Sequence, residues 1–185
     1  MRIAMAISVM VALAAGAAPS RAEPAPPPGE APGAPSRATG TLENGAPSLE
    51  VAVQRMLDAI ENKDAAALRR LRVTEREYRD VILPGNVLPG QPPYVLTDQQ
   101  FSYYWGSMNG RSLAHEQHLI DEFGGRHLRL VRIVPTEVVK YVGFNAHRRL
   151  RLQVAEGDDG KPFEIATGSV AEVGGSFKFV SFIRD

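Results

Sequence analysis

The residues with the most chemistry within reach are His115-Glu116-Gln117-His118, followed by Asp121 and Glu122. On a helix, His115 and His118 stand three apart and His118 and Glu122 four apart, so one face offers imidazoles and a carboxylate side by side. That spacing permits a metal ion. It is not the HExxH pattern, because the second histidine comes one residue early. A solvated helix face has the same look, so His115, His118 and Glu122 are candidates only, and no cofactor is expected. A second cluster is aromatic: Tyr103, Tyr104, Trp105, Tyr141 and Phe144. Rings beside a few polar groups line small apolar pockets, and they also build ordinary cores. Trp105 reads first as core. Tyr104 is more open, because a buried hydroxyl needs a partner. Tyr104, Trp105, Met108, His115 and Tyr141 are the candidate ligand pocket. Glu172 is the third feature. It shares strand parity with Val170 and can point inward, where burial raises a carboxyl pKa and suits it to general-base work. His115, Tyr104 and Glu172 are thus the candidate acid-base groups. No Ser-His-Asp grouping, phosphate-binding glycine loop or dinucleotide fingerprint accompanies them.

These groups must be held by a helical half and a strand-rich half. Ser48 caps a first helix whose stripe is Leu49, Val53, Met56, Leu57 and Ile60. Asp64 caps a short second helix with Leu68 and Leu71. Thr74 with Glu77 is a capping box opening a third, from Glu75 to about Ile82, stopped by Pro84-Gly85. Leu83 to Leu96, with its prolines and glycines, is a long loop, either inert or a lid over a pocket mouth. Thr97 with Gln100 opens a helix at Asp98 that carries Phe101, Tyr104, Trp105 and Met108. Asn109-Gly110 either breaks it before a helix from Arg111 to Phe123, or is crossed by it. In the second case His115, Leu119 and Phe123 continue the stripe of Phe101 and Met108. Gly124-Gly125 ends the helix.

Strands follow at about Arg126–Val134 and Glu137–Val142. Three more, His147–Glu156, Lys161–Val173 and Ser176–Ile183, are joined by Gly157-Asp158-Asp159-Gly160 and by Gly174-Gly175. Pairing Glu156 with Lys161 sets Val154 opposite Phe163, Leu152 opposite Ile165 and Leu150 opposite Thr167. Glu164 then stands beside Gln153 on the other face. The apolar parity slips at Gly168, between Ile165 and Val170, which predicts a bulge and a bent sheet, unless the glycine is merely tolerated there.

The chain of 185 residues is long enough for one domain. A formal net charge of zero argues against nucleic acid, which needs a concentrated basic surface. Arg148, Arg149 and Arg151 read as a solvated strand face. The absence of cysteine excludes disulfides, thiol catalysis, sulfur-based zinc sites and lipid attachment through cysteine. Residues 1–22 read as a secretory signal peptide, with Arg2, an apolar run from Ile3 to Ala18, and cleavage after Ala22. The run is short for a membrane span, which needs about 20 apolar residues; retention as an anchor is the alternative. Cleavage leaves 19 basic and 21 acidic residues, a charge of −2. Ala, Arg and Pro usage suits a bacterial protein of the periplasm or the cell exterior, with no membrane contact after cleavage. Residues 23–47, rich in Pro, Ala and Gly, read as a disordered linker, and 48–185 as the folded domain.

One resemblance organises these elements. The long first helix, the tight turn at Asn62-Lys63-Asp64 and the small-residue helix Ala65–Leu71 resemble the opening of the NTF2-like superfamily, which includes SnoaL-like and ketosteroid-isomerase-like domains. The closing run Gly174-Gly175-Ser176-Phe177-Lys178-Phe179-Val180-Ser181-Phe182 is similar to the last strand of those domains. The resemblance covers about 48–185 and implies an α+β fold: N-terminal helices packed on a strongly curved, mainly antiparallel sheet, a cone with a pocket at its open end. It also implies that the isomerases of the group use a carboxylate base with acidic donors in an apolar pocket, a set that no residues here match one by one. The leading expectation is a secreted, non-catalytic domain that binds a small apolar ligand or a protein partner. The alternatives are an isomerase-, cyclase- or hydratase-type enzyme, and a module that dimerises through its sheet face at Arg149, Arg151, Gln153 and Glu164.

Overall fold

Four of the helices begin where a side chain takes up a free amide of the first turn. Residues 40–183, apart from 93–94 and 135–136, are described by the computed structural model, and all belong to the unit Ala34–Asp185. The signal-peptide assignment and the linker as far as 39 lie outside them. Ser48 accepts from the Val51 amide and starts α1, Leu49–Glu61; Asp64 accepts from Ala67 and starts α2, Ala65–Arg70. Both expected capping boxes form, Thr74 with Glu77 and Thr97 with Gln100. Val53, Met56, Leu57 and Ile60 of α1 are fully buried, as the stripe predicts.

The third helix departs from expectation. It runs α3, Glu75–Glu77, then a π-helical turn, Tyr78–Ile82, then α4, Leu83–Gly85. The Leu83 amide reaches back to the Tyr78 carbonyl, so the helix continues through Pro84 and does not stop before it. A proline at the start of α4 loses no hydrogen bond that the wider π turn has not already displaced. The next helix, α5, spans Asp98–Phe123 without a break at Gly110. Its inward face is not the predicted stripe. Phe101, Leu119 and Phe123 are buried as expected, but Ser112 and Glu116 are buried with them, while Met108 and His115 are only partly covered.

The strands are β1 Leu128–Val134, β2 Glu137–Lys140, β3 Asn145–Arg148, β4 Arg151–Glu156, β5 Phe163–Ala166, β6 Val170–Val173 and β7 Ser176–Phe179. They form two antiparallel sheets, β1-β4-β5 and β2-β3-β6-β7, not closed into a barrel. The fold is α+β. The predicted register holds: Val154 faces Phe163, Leu152 faces Ile165 and Gln153 faces Glu164. Two predicted long strands are each divided between the sheets. His147–Glu156 breaks at Arg149, whose φ is +52°. Lys161–Val173 breaks around Gly168. The pairing carries across both breaks, since Leu150 accepts from the Thr167 amide at 2.9 Å and donates to Gly168 at 3.4 Å. Gly168 is not merely tolerated, because a Cβ there would run into the Ser181 carbonyl. The slip in parity is therefore a change of sheet.

Residues 40–47, assigned above to the disordered linker, pack on the domain. Leu42 and Ala46 are buried. Ala46 and Phe177 exchange both backbone hydrogen bonds, at 2.8 and 2.9 Å. The segment has an edge to pair with, and Leu42 supplies the apolar contact that composition alone understates. Leu71 and Val73 satisfy the Phe179 backbone on the same edge. The last strand ends at Phe179 instead of Ile183. The chain leaves the ladder there, with the Val180 amide donating to Ser169 and the Phe182 amide to the Ser112 hydroxyl at 2.9 Å.

Two apolar clusters result. The first packs α1, Leu119 and Phe123 of α5, and the inward residues of β4 and β5 around Phe179 and Phe182. The second seats Val81 and Ile82 of the π turn, with Leu42 and Val73, on Phe144, Ala146, Ala171 and Val173. Full burial of side chains of this size is worth about 1.5–3 kcal/mol each.

Candidate functional site

The π turn, the loop after α4 and the first half of α5 enclose a cleft of about 480 Å³. Tyr78 and Leu83 stand on one wall, Val87, Leu88, Pro92 and Leu96 on the other, and Tyr104 at the side, with Asn86 and Gln91 as polar neighbours. The wider helical turn sets Tyr78 against Trp105 and Phe101, with ring centres 5.5 and 6.2 Å apart. Arg79 lies over the Phe101 ring at 4.1 Å and pairs with Asp98 at 3.1 Å, which fixes α5 to the π turn. Leu88 and Tyr104 line the cleft, and Val95 and Tyr103 are the sequence neighbours of its lining residues Leu96 and Tyr104. Leu88, Val95, Tyr103 and Tyr104 are 50, 84, 74 and 51% exposed, four of the seven large apolar side chains left in solvent among the described residues.

The expected pocket residues do not meet in one cavity. Tyr104 lines the cleft. Trp105 stands behind it against Tyr78. Tyr141 packs on Phe144 at 5.0 Å beside the second apolar cluster. Met108 is half-buried further along α5. His115 lines a separate small cavity with His118, Glu122 and Glu164. The reason is helical geometry: residues 104, 108 and 115 do not share the face that 101, 112, 116, 119 and 123 turn inward.

The acid-base candidates are equally dispersed. Glu172 does not have the raised pKa expected of it; its pKa is lowered. Its carboxylate accepts from Asn145 Nδ2 at 3.1 Å and pairs with His147 Nε2 at 3.1 Å. The Asn145 and then the His147 hydrogen bond hold it below the usual carboxylate range, against a smaller opposing effect of burial. Asn145 and His147 come from β3, and Phe177 packs on the His147 ring at 5.7 Å. Strand parity gave the position of Glu172. The cross-strand partners came from a pairing of β3 with β6 that only the split strands produce.

Sequence reading also missed the buried polar groups. Glu77 and Lys178 are 6 and 4% exposed, with Lys178 Nζ 2.9 and 2.8 Å from the two carboxylate oxygens. Glu77 also accepts from the Thr74 and Glu43 amides, each at 2.7 Å. Burial alone would raise its pKa; Lys178 and the two amides outweigh burial and hold it below the usual range. One carboxylate thus joins the 40–47 segment, the start of α3 and β7. Further in, Arg69 Nε meets Glu116 at 3.0 Å and Arg72 donates to Asn109 at 3.1 Å, leaving Arg72 Nε, Glu116 Oε2 and the Thr167 hydroxyl unsatisfied. Burial pushes the Arg72 pKa down, with Glu116 opposing. A groove of about 570 Å³ beside α1 and α2 carries Arg55, Arg69, Arg70, Arg72 and Lys178, but Glu43, Asp58 and Asp64 share it, so it has no strong single-sign field. On the outer sheet face Arg151 pairs with Glu164 at 3.3 Å and Arg132 donates to Gln153 at 2.8 Å, the pattern of a solvated surface.

Comparison of the chain with protein-family models, with curated proteins and with solved structures finds no match.

Proposed function

We propose that this chain is a non-catalytic binding domain that takes a small apolar ligand in the cleft between the π turn, the 86–96 loop and Tyr104. The observation that carries this reading is a cleft with exposed apolar side chains in its lining. A space of about 480 Å³ falls in the range of small-molecule sites, and the half-exposed Leu88 and Tyr104 line it. The loop read above as either inert or a lid contributes Val87, Leu88, Pro92 and Leu96 to one wall. The NTF2-like resemblance is kept as the fold hypothesis, supported by the helices packed on antiparallel strands that bend at Arg149 and Gly168. Export through residues 1–22 is part of the same proposal. Among the described residues no helix is long and apolar enough to cross a membrane.

Trp105, the single tryptophan, packs on Tyr78 of the cleft wall and so serves as the probe. Titration with the neutral dye N-phenyl-1-naphthylamine is expected to change Trp105 emission saturably. Leu88→Asp and Tyr104→Asp should each weaken the dye at least about tenfold, about 1.4 kcal/mol. Both side chains are half exposed, so neither change should disturb folding. A linear, unsaturable response, or equal binding by all three proteins, would overturn the assignment.

One observation favours an enzyme of the acid-base type: Glu172 and His147 form a partly covered pair at 3.1 Å. Glu172→Gln tests it. Loss of turnover of an enolisable ketone with folding intact is the enzyme's result; no turnover by the parent chain leaves the binding reading alone.

A further inference from the structure

We infer that the groove beside α1 and α2 is a second binding site, for a small zwitterion of the amino-acid class. Its volume of about 570 Å³ falls in the range of small-molecule sites. Most of its charges are committed elsewhere. Lys178 is held by Glu77, Arg69 by Glu116 at 3.0 Å, and the Asp64 carboxylate takes the Ala67 amide. Arg55 and Glu43 are left over. Both are exposed, both line the groove, and among the described residues neither side chain has a partner. They do not pair with each other, so one cation and one carboxylate stand apart around the same space. A zwitterion is the inverse of that arrangement. Its carboxylate suits the guanidinium fork, which can hold it by two parallel N–H bonds, and its ammonium suits the carboxylate.

The balance of signs decides against a multiply charged anion. Five basic side chains line the groove with three carboxylates, but Glu77 and Glu116 neutralise Lys178 and Arg69 from outside the lining, so the remaining charges match. Arg70 and Asp64 are 3.8 Å apart and well exposed, and such surface pairs hold their partners weakly. One donor is buried. Arg72 is 4% exposed, lines the groove, and its Nε has no partner. An unpaired donor on a buried cation is costly, and a ligand carboxylate in the groove offsets that charge. Ala59, Ala67 and Leu71 supply methyl groups for the ligand's carbons, and Asn44 an amide for its polar end.

The experiment titrates the full chain with L-glutamine, whose only formal charges are its α-ammonium and α-carboxylate. Calorimetry is expected to show one saturable equivalent. Glutamine methyl ester, which lacks the negative charge, and N-acetylglutamine, which lacks the positive one, should each bind at least about tenfold more weakly. Arg55→Gln and Glu43→Gln should each weaken glutamine by a similar factor. Arg55→Gln should also lose the preference for glutamine over the ester while keeping the preference over the acetyl form. Both side chains are exposed, so both variants should keep the parent's circular dichroism. Arg129→Gln, on β1 and outside the groove, should bind as the parent does. The proposal is overturned by no saturable binding up to about 10 mM, by equal binding of glutamine and either blocked form, or by parent-like binding in Arg55→Gln. Displacement of N-phenyl-1-naphthylamine by glutamine would also overturn it, since the two ligands would then share the π-turn cleft.

Discussion

Lys178→Met is expected to lower the free energy of unfolding by about 3–5 kcal/mol, a large share of what a domain of this size has. The substitution keeps most of the apolar stem and removes the ammonium that Glu77 faces with both oxygens. The carboxylate is left buried with only the Thr74 and Glu43 amides for partners. Because those amides belong to the start of α3 and to the 40–47 segment, the loss should not stay local. Hydrogen exchange at residues 42–46 and 74–78 should rise together, and faster exchange confined to β7 would contradict the junction. Glu77→Leu combined with Lys178→Met removes both charges. It should recover part of the loss on chemical denaturation, since an apolar pair avoids the uncompensated charge.

The same group sets an acid dependence. Glu77 releases its proton more readily in the folded chain than in the unfolded one. Its contribution is therefore complete above the ordinary carboxylate pKa of about 4.3 and is lost as pH falls through the lower folded value. Thermal melts of the parent chain should drop steeply below about pH 4. In Glu77→Gln the stability near neutral pH should be lower and that acid limb flatter. An identical acid limb in both proteins would show that other carboxylates govern it.

Gly168→Ala carries the second large expected effect. The added methyl would meet the Ser181 carbonyl oxygen and carbon, which are backbone and cannot swing aside like a flexible side chain. The segment it would push is pinned by Val180 on Ser169 and by Phe182 on Ser112. Overpacking of this kind costs about 1–3 kcal/mol, and here the upper end is expected. Gly106→Ala is the control. A Cβ there meets nothing, and alanine favours the helix, so α5 should gain up to about 1 kcal/mol. Equal melting of Gly168→Ala and the parent would mean that residues 180–182 can leave the sheet corner without loss.

What the sequence determined by itself was local. Ser48, Asp64, Thr74 and Thr97 satisfy amides within their own first turns, and caps of that kind are legible because both partners lie within three residues. The register of β4 on β5 was legible for a similar reason: one short hairpin sets it, and alternation along each strand confirms it. The apolar stripe of α1 followed from spacing alone. The parity slip at Gly168 announced an irregularity, but not that the chain changes sheet there.

Only the tertiary structure decided which polar groups go inside. Glu77 reads as half of a capping box, Lys178 as one charge between two phenylalanines, and Ser112 and Glu116 as a wet helix surface. Their burial depends on partners 101, 70 and 47 residues away in sequence, which no periodicity encodes. The candidate cleft depends on the same kind of information. Tyr104 was legible as a candidate pocket residue, and it does line the cleft. Its neighbours Tyr78 and Leu83 reach the cleft through a π turn, whose one-residue widening shifts every later side chain around the helix and leaves no mark in the hydrophobic pattern. Spacing within one element is set by backbone geometry and can be read from the chain. Which faces meet across elements is set by the packing of the whole core, and that decided where the charged pairs, the cleft and the groove lie.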